Sequence, residues 1–357
     1  MEQSTSRINW IDTAKLIGIY LMILGHVEMY GQGTLTVESL IYAFHMPLFF
    51  FLSGLVDKQK ELKETIIKSF RQLVIPYLCW YLINYLWWLI IAFYRHPEMY
   101  ERTVNDAVFK PLLGMILAVG HDTSFSTMAY VQLWFIIALF WCKIASSFIS
   151  NCTAYAKLLF VVGTIVVSLV LSNVGIHLPF SIGSACMAFP IYYLGVFVKD
   201  KVGDISIPNI AVWKKAIVVV VAFGLILVTT YFNGKVDIAN VIFGNNPLLY
   251  FVGAILGIIM ICLLAQILPP LNKFFSVLAR NTLVILGVND ILGLIMLKAF
   301  YVIVLGRTGH TGTESYEPWQ AMIFSALVLV ICYIPCLLIS KYLPILAGQK
   351  RKISKNE

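Results

Sequence analysis

The chain is 357 residues long, 60% hydrophobic and 12% charged, with 26 Lys and Arg against 18 Asp and Glu for a net charge of +8. At a mean hydropathy of +0.85 it is too apolar to be a soluble globule. Its apolar runs are too long and too uniform for alternating barrel strands, and backbone polar groups must be satisfied within lipid, so the expected fold is all-α: a polytopic membrane helical bundle.

Taken in chain order, windows of about 20 apolar residues, enough for a helix to cross roughly 30 Å of hydrocarbon, fall at 9–27, 40–56, 73–94, 130–148, 158–172, 183–198, 216–232, 247–268, 282–305 and 319–340. That gives about ten spans in one membrane domain over 1–345, followed by a basic tail over 346–357. Placing the N-terminus in the cytoplasm collects most of the 26 basic residues on the inner side. They include the 58–71 group, Lys199, Lys201, Lys214, Lys215 and the C-terminal cluster, as the positive-inside rule requires. Both termini are then cytoplasmic. The positive charge reports topology, and no nucleic-acid partner is expected. Seven cysteines, odd in number and mostly inside apolar runs, suggest packing residues and no disulfide framework. No CxxC pair, no His pair at helical spacing and no glycine-rich phosphate loop is present, so no metal or nucleotide motif is seen.

The first span, "DTAKLIGIYLMILGH", is interrupted at its start by Asp12 and Lys15 and lacks a small-residue cleavage site after Gly25, so it is expected to stay in the mature chain. Lys15 and His26 are eleven residues apart, about 1100° around a helix, which leaves them within about 20° on one face and about 16 Å apart along the axis. Asp12 lies about 60° from Lys15 and can pair with it. A simpler arrangement has Lys15 snorkelling to the headgroups with Asp12 as counter-ion and His26 capping the outer end of the helix. The second span, "FHMPLFFFLSG", places His45 near the outer end of the next helix, at a depth similar to His26. With Glu28 just above, the two histidines are a candidate acid-base cluster. In the inner loop, "KSFRQLVIPY" sets Lys68 and Arg71 three apart, either as topological anchors or as a phosphate clamp.

The longest outer segment, 95–129, carries Arg95, His96, Glu98, Glu101, Asp106, His121 and Asp122 around "PLLGMILAVG". That apolar stretch is too short to span and reads as a re-entrant or interfacial lid whose neighbours can face sugar hydroxyls. "GAILG" at 253–257 is a small-residue pattern for helix packing. Asp290 and Lys298 in the ninth window are the kind of intramembrane pair a transporter uses for coupling, which keeps a secondary transporter or glycan flippase as the alternative.

Several of these pieces occur in one order: Lys15 to His26 in the first span, "FHMPLFFFLSG", the Lys68 and Arg71 pair before "IPY", "LWF" at 133–135 and "FPIYYLGVFV" at 189–198. In that order the chain resembles the acyltransferase 3 family of integral-membrane O-acyltransferases that modify bacterial surface polysaccharides and related glycans. Two departures are visible. Lys15 and Lys68 stand where the family commonly has arginine, and Asn289 and Asp290 fall where many members have a histidine.

The resemblance implies a ten-helix domain in the bacterial cytoplasmic membrane. It implies acetyl-CoA or another acyl-CoA as cytoplasmic donor and a carbohydrate hydroxyl on the far side as acceptor, with no metal. On that reading Lys15, Lys68 and Arg71 hold the anionic head of the donor, Asp12 orients Lys15, and His26 is the general base, oriented or polarised by Glu28 or His45. Direct transfer and an acyl-histidine intermediate both remain open. Acceptor sugar, acyl group and oligomeric state are not specified by these residues.

Overall fold

A computed structural model describes residues 9–27, 34–58, 60–94, 108–118, 132–202, 210–289, 291–292 and 316–349. Those residues are helical apart from their connections and an isolated antiparallel bridge between Asp237 and Ile242. Helix α1 (Asn9–Gly25) ends at its glycine, where His26 N–H bonds the Ile23 carbonyl and Val27 N–H the Leu24 carbonyl in a tightened last turn. Helices α2 (Val37–Tyr42) and α3 (His45–Leu55) are two pieces of one membrane-length segment, Val37–Leu55. Pro47 explains the break. It has no N–H for the Ala43 carbonyl and its ring would strike that carbonyl in a continuous helix, so the chain turns at Ala43 and Phe44. Gly257 makes room for the displaced Phe44, because a Cβ there would overlap the Phe44 ring. The "GAILG" stretch is thus a packing feature, with Gly253 against Ala43 and Thr229.

Helix α4 (Leu62–Ser69) runs through a π-helical turn, Phe70–Val74, into α5 (Ile75–Tyr94). The third expected span therefore starts at Leu62, well before the apolar window at 73. Helix α6 (Lys110–Leu117) is the short apolar segment from the long connection, and it lies along α5. Tyr77, Tyr81 and Tyr85, one turn apart, donate from their hydroxyls to the carbonyls of Met115, Pro111 and Val108 at 2.8, 3.1 and 3.3 Å. Each such bond contributes about 1 kcal/mol, and the set fixes α6 against α5. Next come α7 (Trp134–Phe148), α8 (Ala154–Val174), α9 (Ile182–Val202), α10 (Val212–Asn233), α11 (Pro247–Ile267) and α12 (Lys273–Arg280). Residues 282–289 form α13, and α14 (Pro318–Ile331) and α15 (Tyr333–Tyr342) close the chain.

Seven helical stretches among the described residues are long and apolar enough to cross a membrane: Val37–Leu55, Leu62–Ile90, Ala154–Val174, Pro179–Lys201, Val212–Asn233, Pro247–Ile267 and Pro318–Tyr342. The chain is a multi-pass membrane protein. The other expected spans coincide with α1 (17 residues, carrying Asp12 and Lys15), α7 (15 residues) and α13, which is described only in part. The apolar window of α8 is only 11% buried, against 61% for α2–α3 and for α9. Helix α8 is therefore peripheral, while α3 and α9 are central.

Where α3 crosses α9, Gly54 and Gly195 bring the two backbones together. A Cβ on Gly54 would run into the Tyr192 carbonyl and one on Gly195 into the Phe51 carbonyl. Without a hydrophobic drive between helices in lipid, such small-residue contacts are a main source of association. Gly195→Ala is expected to lower stability by about 1–3 kcal/mol, read as an earlier thermal transition in detergent; a transition unchanged from wild type would show that the helices can separate at no cost.

At the far end, Trp80 Nε1–H donates to the Leu346 carbonyl at 2.8 Å, Leu346 is buried, and Gly348 lies on the Gln72 carbonyl. Gln349 also reaches the bundle, its amide donating to Asn281 Oδ1 at 3.3 Å.

Candidate functional site

Helix α1 presents Lys15, Ile19, Met22 and His26 at spacings of four, three and four residues, which is one face of a helix. All four line cavities. The larger, of about 180 Å³, is bounded by Lys15, Ile19 and Met22 of α1, by Met46, Phe49, Leu52 and Ser53 of α3, and by side chains of α7 and α13. The smaller, of about 30 Å³, is bounded by Met22, His26, Tyr42, His45, Met46, Gln132, Trp134, Asp237, Ile238, Ala239 and Leu286. Met22, Met46 and Leu286 belong to both. The lysine and the histidine thus face two voids that share a wall.

The break between α2 and α3 shapes the His26 end. At the end of α2 the Ile41 carbonyl accepts from Phe44 N–H at 3.2 Å and also faces the His45 ring, with Nδ1 2.9 Å from that oxygen. A carbonyl only accepts, so Nδ1 carries the ring proton and Nε2 is an acceptor. His26 Nδ1 lies 3.2 Å from the Tyr42 hydroxyl. The Tyr42 ring stands between the two histidines, with centroids 5.8 Å from His26 and 5.1 Å from His45. Lys235 holds Tyr42 from the other side, its ammonium 5.1 Å from the ring centre and 2.7 Å from a Glu38 carboxylate oxygen. Asp237 closes the wall. Its carboxylate accepts from Ala239 N–H at 3.0 Å and from the Asn240 side chain at 2.9 Å, fixing the turn that carries it into the bundle.

The Lys15 end is basic. Just past the end of α3, Asp57 accepts from Lys143 of α7 at 2.7 Å, and its backbone carbonyl accepts from Lys199 of α9. Lys60 pairs with Glu64. Lys68 is half-buried in the electrostatic field of Lys60, Lys143, Asp57 and Glu64, whereas Arg71 is exposed. Between the two lies the start of a π turn, Phe70–Val74, so Lys68 closes α4 and Arg71 sits in the wider turn that leads into α5. Asp12 is buried on α1 one turn before Lys15. Among the described residues, Asp12, Lys68 and Arg71 line neither cavity.

Glu28, Asp290, Lys298 and the charged residues from Arg95 to Asp106, with His121 and Asp122, lie outside the described residues. No group of His, Cys, Asp and Glu able to hold a metal occurs among the described residues. The sequence reading missed Tyr42, Asp237 and the methionine wall. Tyr42 had a local signal, since "YAFH" sets it three residues before His45, but Asp237 comes from a connection nearly two hundred residues away.

The family profile described as an acyltransferase domain matches residues 8–341, nearly the whole chain. Curated proteins gave no significant match.

Proposed function

The chain belongs to the acyltransferase 3 family, and from that premise we propose that it moves an acyl group from cytoplasmic acyl-CoA to a hydroxyl of a surface or exported carbohydrate, acting in a bacterial cytoplasmic membrane with both termini inside. One observation carries the reading: a single face of α1 lines both cavities, with a cation at one end, a histidine cluster at the other, and a shared wall of three apolar side chains.

An acyl-CoA has an anionic nucleotide head and a long uncharged arm that ends in the thioester. With the head at the basic end, near Lys15 and Lys68, the arm occupies the larger cavity and points its acyl group at the smaller. The rise of about 16 Å from Lys15 to His26 suits that arm. His26 takes the proton of the acceptor hydroxyl as its oxygen attacks the thioester carbonyl. The C–O bond forms, the C–S bond breaks, and the proton passes from the imidazolium to the departing thiolate. For this, Nδ1 of His26 carries a proton and donates to the Tyr42 oxygen, leaving Nε2 as the base. Base catalysis of this kind contributes about 10²- to 10⁴-fold.

Protein in liposomes, given acetyl-CoA labelled in the acyl group and a carbohydrate acceptor, is expected to release free coenzyme A thiol and move label onto the acceptor in equal amounts. Label crossing the membrane still attached to its carrier, without thiol release, would identify a transporter.

A further inference from the structure

The wall between the two cavities comes from three helices. Met22 lies one turn before His26 on α1, Met46 directly follows His45 on α3, and Leu286 projects from α13. On the Lys15 side there is about 180 Å³ of free space and on the His26 side about 30 Å³. The second volume takes only one or two water-sized groups. A group moving from one void to the other has to displace these side chains. Two of them are methionines, unbranched and with three rotatable bonds, and able to yield without being forced off their rotamers.

We infer that Met22, Met46 and Leu286 form an acyl-size filter that restricts the donor to acetyl-CoA. The inference rests on the acyl-transfer reading above. When the head of the donor is held at the Lys15 end, the acyl group is the leading end of the arm, and its carbon chain meets the wall before its carbonyl faces His26. An acetyl group sends a single methyl ahead of the carbonyl, which the smaller void accommodates. Butyryl sends two further methylenes into space already bounded by His26, Tyr42 and His45. Succinyl adds a carboxylate that must shed its hydration at a wall of two thioethers and an isobutyl group.

The test is the ratio of kcat/KM for butyryl-CoA to that for acetyl-CoA, measured by thiol release on purified full-length protein. Met46→Ala and Met22→Ala shorten the wall, and the ratio is expected to rise about tenfold or more in at least one of them, the discrimination that a methylene in an apolar pocket supplies. Met46→Leu keeps the volume and should leave the ratio near wild type. Met46 is half-buried and Met22 fully buried, so Met46→Ala carries the test if Met22→Ala fails to accumulate. A ratio within about twofold of wild type in the alanine variants, or a wild-type enzyme that uses butyryl-CoA as well as acetyl-CoA, overturns the filter while leaving acyl transfer intact. A wild-type protein that releases no thiol from any acyl-CoA overturns acyl transfer itself and the filter with it.

Discussion

His26→Ala is expected to lower acyl transfer by about 10²- to 10⁴-fold while leaving the affinity for acyl-CoA close to wild type. The two effects separate because His26 lines the smaller cavity alone, whereas Lys15 lines the larger. The side chain lost is one the donor head does not reach, and the helix that carries it ends one residue earlier, at Gly25. Tyr42→Phe is the matching control. It removes the hydroxyl 3.2 Å from His26 Nδ1 and keeps the ring between the histidines. One neutral hydrogen bond is worth about 0.5–1.5 kcal/mol, so its transfer rate should fall by about tenfold or less, with little change in KM. Thiol release in liposomes measures the rate and calorimetry measures the binding. If His26→Ala released thiol at the wild-type rate, His26 would not be the base and the other cavity-lining histidine, His45, would be the next group to replace.

Much of this arrangement could be read from local spacing. Lys15 and His26 share a face because eleven residues are close to three whole helical turns, and that holds wherever the helix sits. The apolar windows set the class of fold for a similar reason, since hydrocarbon thickness fixes helix length. The π turn was less legible: no spacing in the sequence marks the wider winding at Phe70–Val74. The break before α3 was present in the sequence as Pro47, but its consequence depends on tertiary structure. It turns His45 onto the Ile41 carbonyl and needs Gly257 of α11 to accept Phe44. The pairing of Asp57 with Lys143 and the entry of Asp237 into the cavity wall join residues far apart in the chain. No helical or strand period carries that information.

Lys15→Ala is expected to weaken acyl-CoA binding by tenfold to about a hundredfold, the loss of about 1.5–3 kcal/mol for a charged contact, with kcat at saturating donor changed little. Two accounts of Lys15 make different forecasts. A lysine that only snorkels to the headgroups spends its charge on lipid, and its removal would leave donor affinity unaltered. Lys15 instead lines a cavity with Ser53 and Thr282 among otherwise apolar neighbours, where its charge can meet an anionic donor as well as the membrane surface. Two further results follow. Raising ionic strength should weaken donor binding to wild type more than to Lys15→Ala, because one screened attraction is absent from the variant. Lys15→Arg should retain most of the affinity, since the charge is kept and a guanidinium adds a bidentate grip on phosphate. Titration of acetyl-CoA into the three proteins at two salt concentrations gives both comparisons. Equal affinities across the set would remove Lys15 from the donor site and return it to the membrane surface.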